Sequence, residues 1–152
     1  MKTQVNFDAL GGGGGKFDKI VFDGVAGGNM SNPSNAFDGN TATKSFSSGE
    51  NVGVLTYKFN SPKACCVFGF RGNTDSPTLT PTQIVIKGST DNGVTFTTIG
   101  TLSSIPNDTV MKYFINTDPS SYSFYQFECS PRDGGFGVGY YAQLSEVEMY
   151  GY

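Results

Sequence analysis

The chain is 152 residues long, 15% charged and 14% aromatic, with 21 glycines, no histidine and a formal net charge of −3. That length suits one domain with a hydrophobic core, and the aromatic content excludes a disordered chain. The few lysines and arginines form no run, which excludes a nucleic-acid surface; the missing imidazole excludes Ser-His-Asp and Cys-His catalysis, histidine-based zinc sites and a switch near neutral pH.

In chain order, Met1 to Leu10 has a single lysine and no apolar run, so no secretory leader is expected there. The expectation is synthesis in a cytoplasm and action outside the cell by another route, such as release within a virus particle. Gly11 to Gly15 reads as a tether. Residues 1–16 are therefore expected to be a flexible glycine-rich arm, carrying Val5, Phe7 and Leu10 to the domain or to a neighbouring subunit in a homo-oligomer. Residues 17–152 are expected to form the domain, and no stretch is long enough to cross a membrane.

From Phe17 onward, short strands alternate with turn residues. The predicted strands are Phe17 to Asp23, Val52 to Phe59 (closed by Asn60-Ser61-Pro62) and Ala64 to Arg71. The last of these is nearly all apolar, as befits a central strand. Gln83 to Ser89 and Val94 to Leu102 flank Asp91-Asn92-Gly93, a hairpin turn signal. Thr109 to Ile115, Tyr122 to Ser130 and Tyr141 to Tyr150 complete the set. No segment shows sustained helical periodicity. The pattern predicts an all-β, eight-stranded antiparallel β-sandwich of the jelly-roll kind.

The cysteines are Cys65, Cys66 and Cys129. Neighbours on a strand face opposite ways, so Cys65 and Cys66 cannot share one core or bridge each other. They read as small apolar fillers, with a bridge from either to Cys129 left as an alternative.

The segment Asn35-Ala-Phe-Asp-Gly-Asn-Thr-Ala-Thr-Lys44 concentrates oxygen donors in one tight loop. Hard cations such as Ca2+ take six to eight oxygens from carboxylates, carbonyls and hydroxyls. Asp38 and Thr43 supply side chains, Gly39 lets the backbone turn inward, and a second carboxylate from Glu146 or Glu148 on the last strand would complete the charge. An ion-free Asx turn is the competing reading of the same residues.

This loop, the Ser89-Thr-Asp-Asn-Gly-Val-Thr-Phe96 hairpin and the ending Leu144-Ser-Glu-Val-Glu-Met-Tyr-Gly151 occur in that order. Together they resemble the galactose-binding-like jelly rolls: the coagulation factor 5/8 type C or discoidin domains and the family 32 carbohydrate-binding modules. The resemblance covers Phe17 to Gly151. It implies a sandwich whose ends are clamped by a structural Ca2+, with side chains of Asp38 and Thr43, carbonyls of Ala36, Asn40 and Thr43, and the carboxylate of Glu146. Glu148 is the second choice for that carboxylate. The family often has a tryptophan just after the loop threonine; this chain has Ser45-Phe46 and no tryptophan.

In that family, ligands bind in loops at one end of the sandwich, through an aromatic platform with Arg, Asn or Asp. The matching stretches here are Arg71-Gly-Asn73-Thr-Asp75, and Arg132-Asp-Gly-Gly-Phe136 with Tyr140 and Tyr141. The competing reading pairs Arg71 with Asp75 and packs Phe136, Tyr140 and Tyr141 on the core. The implied function is a non-catalytic carbohydrate-binding and attachment module, with a cell-surface glycan as partner and a bacteriophage virion (decoration, tail or fibre) as setting. The alternative is a purely structural virion or assembly subunit. A glycosidase needs two carboxylates flanking the bond, and the acidic residues here fall mostly at turns.

Overall fold

The computed structural model describes residues 4–6, 16–73 and 78–152. Thirteen strands run among the described residues, with one short 3-10 helix at Pro33–Phe37. In chain order they are β1 (Gln4–Asn6), β2 (Lys16–Lys19), β3 (Val25–Gly28), β4 (Ser45–Ser48), β5 (Gly53–Ala64), β6 (Val67–Arg71) and β7 (Gln83–Ser89). Then follow β8 (Thr97–Leu102), β9 (Lys112–Ile115), β10 (Ser121–Ser130), β11 (Arg132–Asp133), β12 (Tyr140–Leu144) and β13 (Glu146–Gly151). One sheet has the order β1-β2-β13-β6-β9 and faces a second of order β3-β5-β10-β7-β8. A third, β11-β12-β4, closes one end, and every pairing is antiparallel.

The all-β antiparallel expectation agrees with this architecture, while the count of eight strands is corrected upward. The extra strands are short or carry little hydrophobic pattern. β3 is Val-Ala-Gly-Gly, and a Cβ on Gly28 would collide with the Val54 carbonyl, so glycine is required for the close pairing with β5. The expected last strand is two strands because Ser145 turns the corner between sheets. Its amide donates to the Arg71 carbonyl at 2.9 Å and its hydroxyl to the Gly72 carbonyl at 3.0 Å. β5 runs past Pro62 because pairing with β10 skips from Lys58 to Lys63, leaving the proline in a bulge where no ladder amide is needed. Gln4–Asn6, within the segment expected as an arm, pairs as β1 with Lys16, Phe17 and Asp18 of β2.

The core fills the space between the two large sheets. Phe68, Phe70, Val147 and Met149 from one face meet Leu55, Tyr57, Ile84, Ile86, Tyr125 and Phe127 from the other. Phe127 is central, with Phe68 and Phe70 edge-on at 6.1 and 5.5 Å between ring centres. The apolar β6 is central in its sheet, between β13 and β9.

Alternation along β6 and β13 puts Val67 and Tyr150 on the outer face, where Phe17 and Cys66 join them in a second small buried cluster. Cys65 and Cys129 belong to the main core, and all three thiols are free. Cys65 and Cys66 do face opposite ways. Both are nonetheless buried, because the outer face is covered too.

Candidate functional site

The 3-10 helix explains how the oxygen-rich loop is presented. Pro33 opens it, and Ala36 and Phe37 turn into the core, Phe37 lying 4.9 Å from Phe22 and 4.8 Å from Tyr57. With that pair buried, Asp38 and Asn40 face outward, and Gly39 takes a φ of 71° to let the chain reverse. Thr43 Oγ1 is the hub. It lies 2.6 Å from Asp38 Oδ2, 2.9 Å from the Asn40 carbonyl and 3.5 Å from the Asn35 carbonyl. The Asn40 amide donates to Asp38 Oδ1 at 2.8 Å, which holds the carboxylate in place.

Glu146 reaches the same loop from the first residue of β13. It is 3% exposed, and its Oε2 is buried with no hydrogen-bond partner. Burial pushes its carboxyl up to about 7, reinforced by the charges of Asp38 and Glu148 and opposed by Lys19 and the Gly39 amide. A buried carboxylate oxygen with no partner, near the charges of Asp38 and Glu148, is costly unless the carboxyl takes up a proton or a cation sits beside it. Among the described residues no three His, Cys, Asp or Glu side chains converge, so a cation here draws on carbonyls and hydroxyls besides two carboxylates. That donor set fits a hard divalent ion such as Ca2+.

Of the residues expected from the sequence, Asp38, Asn40 and Thr43 are joined by hydrogen bonds that equally describe an ion-free Asx turn, the Asn35 carbonyl lies 3.5 Å from Thr43 Oγ1, and Glu146 is close enough to feel the Gly39 amide and the Asp38 charge. Ala36 contributes a buried side chain to the core. Glu148 is turned to other partners: it accepts a hydrogen bond from the Tyr150 hydroxyl and sits 3.6 Å from Lys19 Nζ. Phe46 is half-buried, with Lys44 Nζ 5.4 Å from its ring centre.

The expected ligand residues cluster at the same end. Arg71, the last residue of β6, pairs directly with Glu146 across the sheet. Its Nε donates to the Thr109 carbonyl at 2.8 Å, and its terminal nitrogens make no hydrogen bond among the described residues. Arg132 differs. Its Nε donates to the Thr80 carbonyl at 2.8 Å and its Nη2 to the Ile105 carbonyl, so it ties two loops together. Asn73 is buried, and its amide donates to Gln143 Oε1, which also accepts from the Leu79 amide. Asp75 lies outside the described residues.

Phe136 stands at the tip of the β11–β12 hairpin with its ring entirely exposed, 108% on the relative scale. Gly135, Gly137 and Gly139 have φ of 90°, 79° and 87°, and bonds from the Gly134 amide to the Gly139 carbonyl and from the Val138 amide to the Gly135 carbonyl fix the turn. Tyr140 is 36% exposed beside it and Tyr141 is half-buried, so packing on the core is ruled out for Phe136. Missed by sequence reasoning are Gln143 and the loop 103–111. Both arginines hold carbonyls of that loop, and Thr80 binds Asn107 and Asp108 within it. Backbone carbonyls carry no sequence signature, which is why it was not foreseen.

The sequence matches no protein-family model and no curated protein. Solved structures do match in shape. The family 32 module of C. perfringens NanJ, in complex with galactose, superposes with a TM-score of 0.72 at 18% identity, covering 87% of this chain and 97% of that one. Chitosan-binding module 1 of a chitosanase/glucanase from Paenibacillus sp. IK-5 gives 0.70 at 18% identity, over 88% and 98%. A family 32 module from Clostridium perfringens, in complex with GalNAc-β-1,3-galactose, gives 0.69 at 15%, over 83% and 94%. The fold of this chain is the galactose-binding-like jelly roll.

Proposed function

We infer that this chain is a non-catalytic carbohydrate-binding module, which attaches to a cell-surface glycan through the pole bearing Phe136 and Arg71. The observation that carries this reading is the Phe136 ring, fully exposed on a hairpin tip whose backbone is pinned by its own hydrogen bonds. An exposed aromatic costs solvation unless it meets a partner, and the CH face of a sugar is such a partner. Arg71 adds a guanidinium held at Nε, whose terminal nitrogens make no hydrogen bond among the described residues, suited to a pair of hydroxyls. Arg132 and Asn73 position the surrounding loops, and Tyr140 flanks the platform. The neighbours support the reading, since two of those three were captured with galactose-containing ligands.

We also assign Asp38, Thr43, Glu146 and the carbonyls of Asn35 and Asn40 to a structural Ca2+, a reading supported by the buried Glu146 Oε2 that has no hydrogen-bond partner. Bound there, the ion supplies positive charge between two carboxylates and fastens the loop to β13. The setting we propose is a virion surface, with particle proteomics as its check. A glycan array probed in calcium should light galactose-terminated glycans; a blank array would count heavily against the sugar-binding reading.

A further inference from the structure

We propose that the opposite pole carries a second saccharide site, built around Tyr152 and suited to an acidic, uronate-bearing oligosaccharide. This pole is formed by the far ends of β5, β9 and β13, a full strand length from the Phe136 hairpin. Two hollows meet there. One, of about 400 Å3, is lined by Asp18, Lys19, Ile20, Lys63, Gly151 and Tyr152 among others. The other, of about 250 Å3, is lined by Phe17, Cys66, Asn116, Thr117 and Tyr152 among others. Tyr152 is the wall they share.

The Tyr152 side chain is 90% exposed, yet its ring is not loose in solvent. It lies 5.2 Å from the buried Phe17 ring, tilted by 55°, so one side is braced and the rest is presented. The floor of the larger hollow is bare backbone: a Cβ on Gly151 would stand 2.5 Å from the Ala64 carbonyl, so a side chain there has no room. A hollow of this size with an aromatic wall and a few polar rim groups is of the scale that holds a small ligand.

The rim selects the class of ligand. Lys19 is already paired with Glu148 at 3.6 Å. Lys63 has no ion-pair partner among the described residues, and it is half-buried against the hollow. An uncommitted ammonium beside an aromatic face matches a sugar carboxylate, with the CH face of the same or the next ring stacked on Tyr152. Thr117 in the smaller hollow offers a hydroxyl partner, while Asn116 is held by the Cys65 carbonyl and the Asp118 amide and Asp18 turns the sugar carboxylate toward the Lys63 side of the larger hollow. A ligand spanning both hollows would straddle Tyr152, hence an oligosaccharide rather than a single sugar.

The test is an amide NMR titration of the full chain with trigalacturonate, reading both poles at once. The expected result is saturable shifts at Ala64, Thr117 and Gly151 that weaken with added salt. Tyr152→Ala and Lys63→Ala should each weaken them about tenfold, Lys63→Arg should preserve them, and Phe136→Ala should leave them unchanged. Neutral galactotriose should bind this pole at least about tenfold more weakly. The proposal is overturned if millimolar trigalacturonate leaves these amides still, if Tyr152→Ala binds as the parent does, or if galactotriose binds equally well. Because Gly135 and Gly137 report the other pole separately, failure here is distinguishable from failure of the Phe136 site.

Discussion

Arg71 and Arg132 look alike in the sequence, each followed by small and polar residues in a loop that also offers aromatics or amides. The structure separates them by what they donate to. Arg132 grips the carbonyls of Thr80 and Ile105, while Arg71 uses Nε alone, on the Thr109 carbonyl. Arg132→Ala should therefore lower unfolding stability by about 1–3 kcal/mol, because two carbonyls lose a charged donor, as chemical denaturation would show. Arg71→Ala strips one carbonyl of its donor instead of two, so it should cost less stability than Arg132→Ala while weakening glycan binding about tenfold by calorimetry.

Asp91 is a different case, a turn residue whose role is local. Bonds from Thr95 Oγ1, Ser89 Oγ and the Thr95 amide hold its carboxyl down at about 2. A folded value below the unfolded value of about 3.9 means the stabilisation is present above pH 4 and is lost as pH falls toward 2. Asp91→Asn should thus melt lower than the parent at pH 7, with the gap closing between pH 4 and 2. A gap that is constant with pH would show that the carboxylate charge has no part in the turn.

At the scale of elements, the legible parts were those with a periodic signal. β7 has the bounds its alternation predicts, Asp91-Asn92-Gly93 lies in the turn between β7 and β8, and the apolar run before Arg71 is a central strand. The illegible parts depend on the partner rather than on their own residues. β3 exists because two glycines can approach β5, and the break at Ser145 exists because its amide and hydroxyl find carbonyls on β6 and just past it. The loop at Asn35 to Thr43 was legible as an oxygen cluster, whereas the residues alone left Glu146 and Glu148 open as the second carboxylate, and only the family resemblance favoured Glu146. The Asn35 carbonyl was not legible, because any residue has one.

That loop and β13 are predicted to act as one fastener. Calcium in hundredfold excess over its Kd should stabilise the parent by about 2.7 kcal/mol, seen as a rise of several degrees in Tm that chelator reverses. Asp38→Ala should abolish the response while keeping the fold at low temperature. A parent whose melting ignores both calcium and chelator would reduce the loop to an Asx turn.

For the molecule as a whole, the sandwich is a rigid spacer between two poles. β5, at twelve residues, measures about 40 Å along its length. The Asn35–Thr43 loop and Arg71 lie at the end where β6 stops and β13 begins, and the Tyr152 hollows lie where β5, β9 and β13 end. The aromatic core holds the ends in register: Phe127→Ala should cost about 3–5 kcal/mol, since it removes the ring on which Phe68 and Phe70 converge. The central claim is that the first pole binds a saccharide through its exposed aromatic. Calorimetric titration of the parent and Phe136→Ala with GalNAc-β-1,3-galactose, in calcium, tests it most directly. The expected result is saturable binding by the parent and at least about a tenfold loss in the variant, with identical melting curves. Equal binding by the two proteins, or none by the parent, would contradict it.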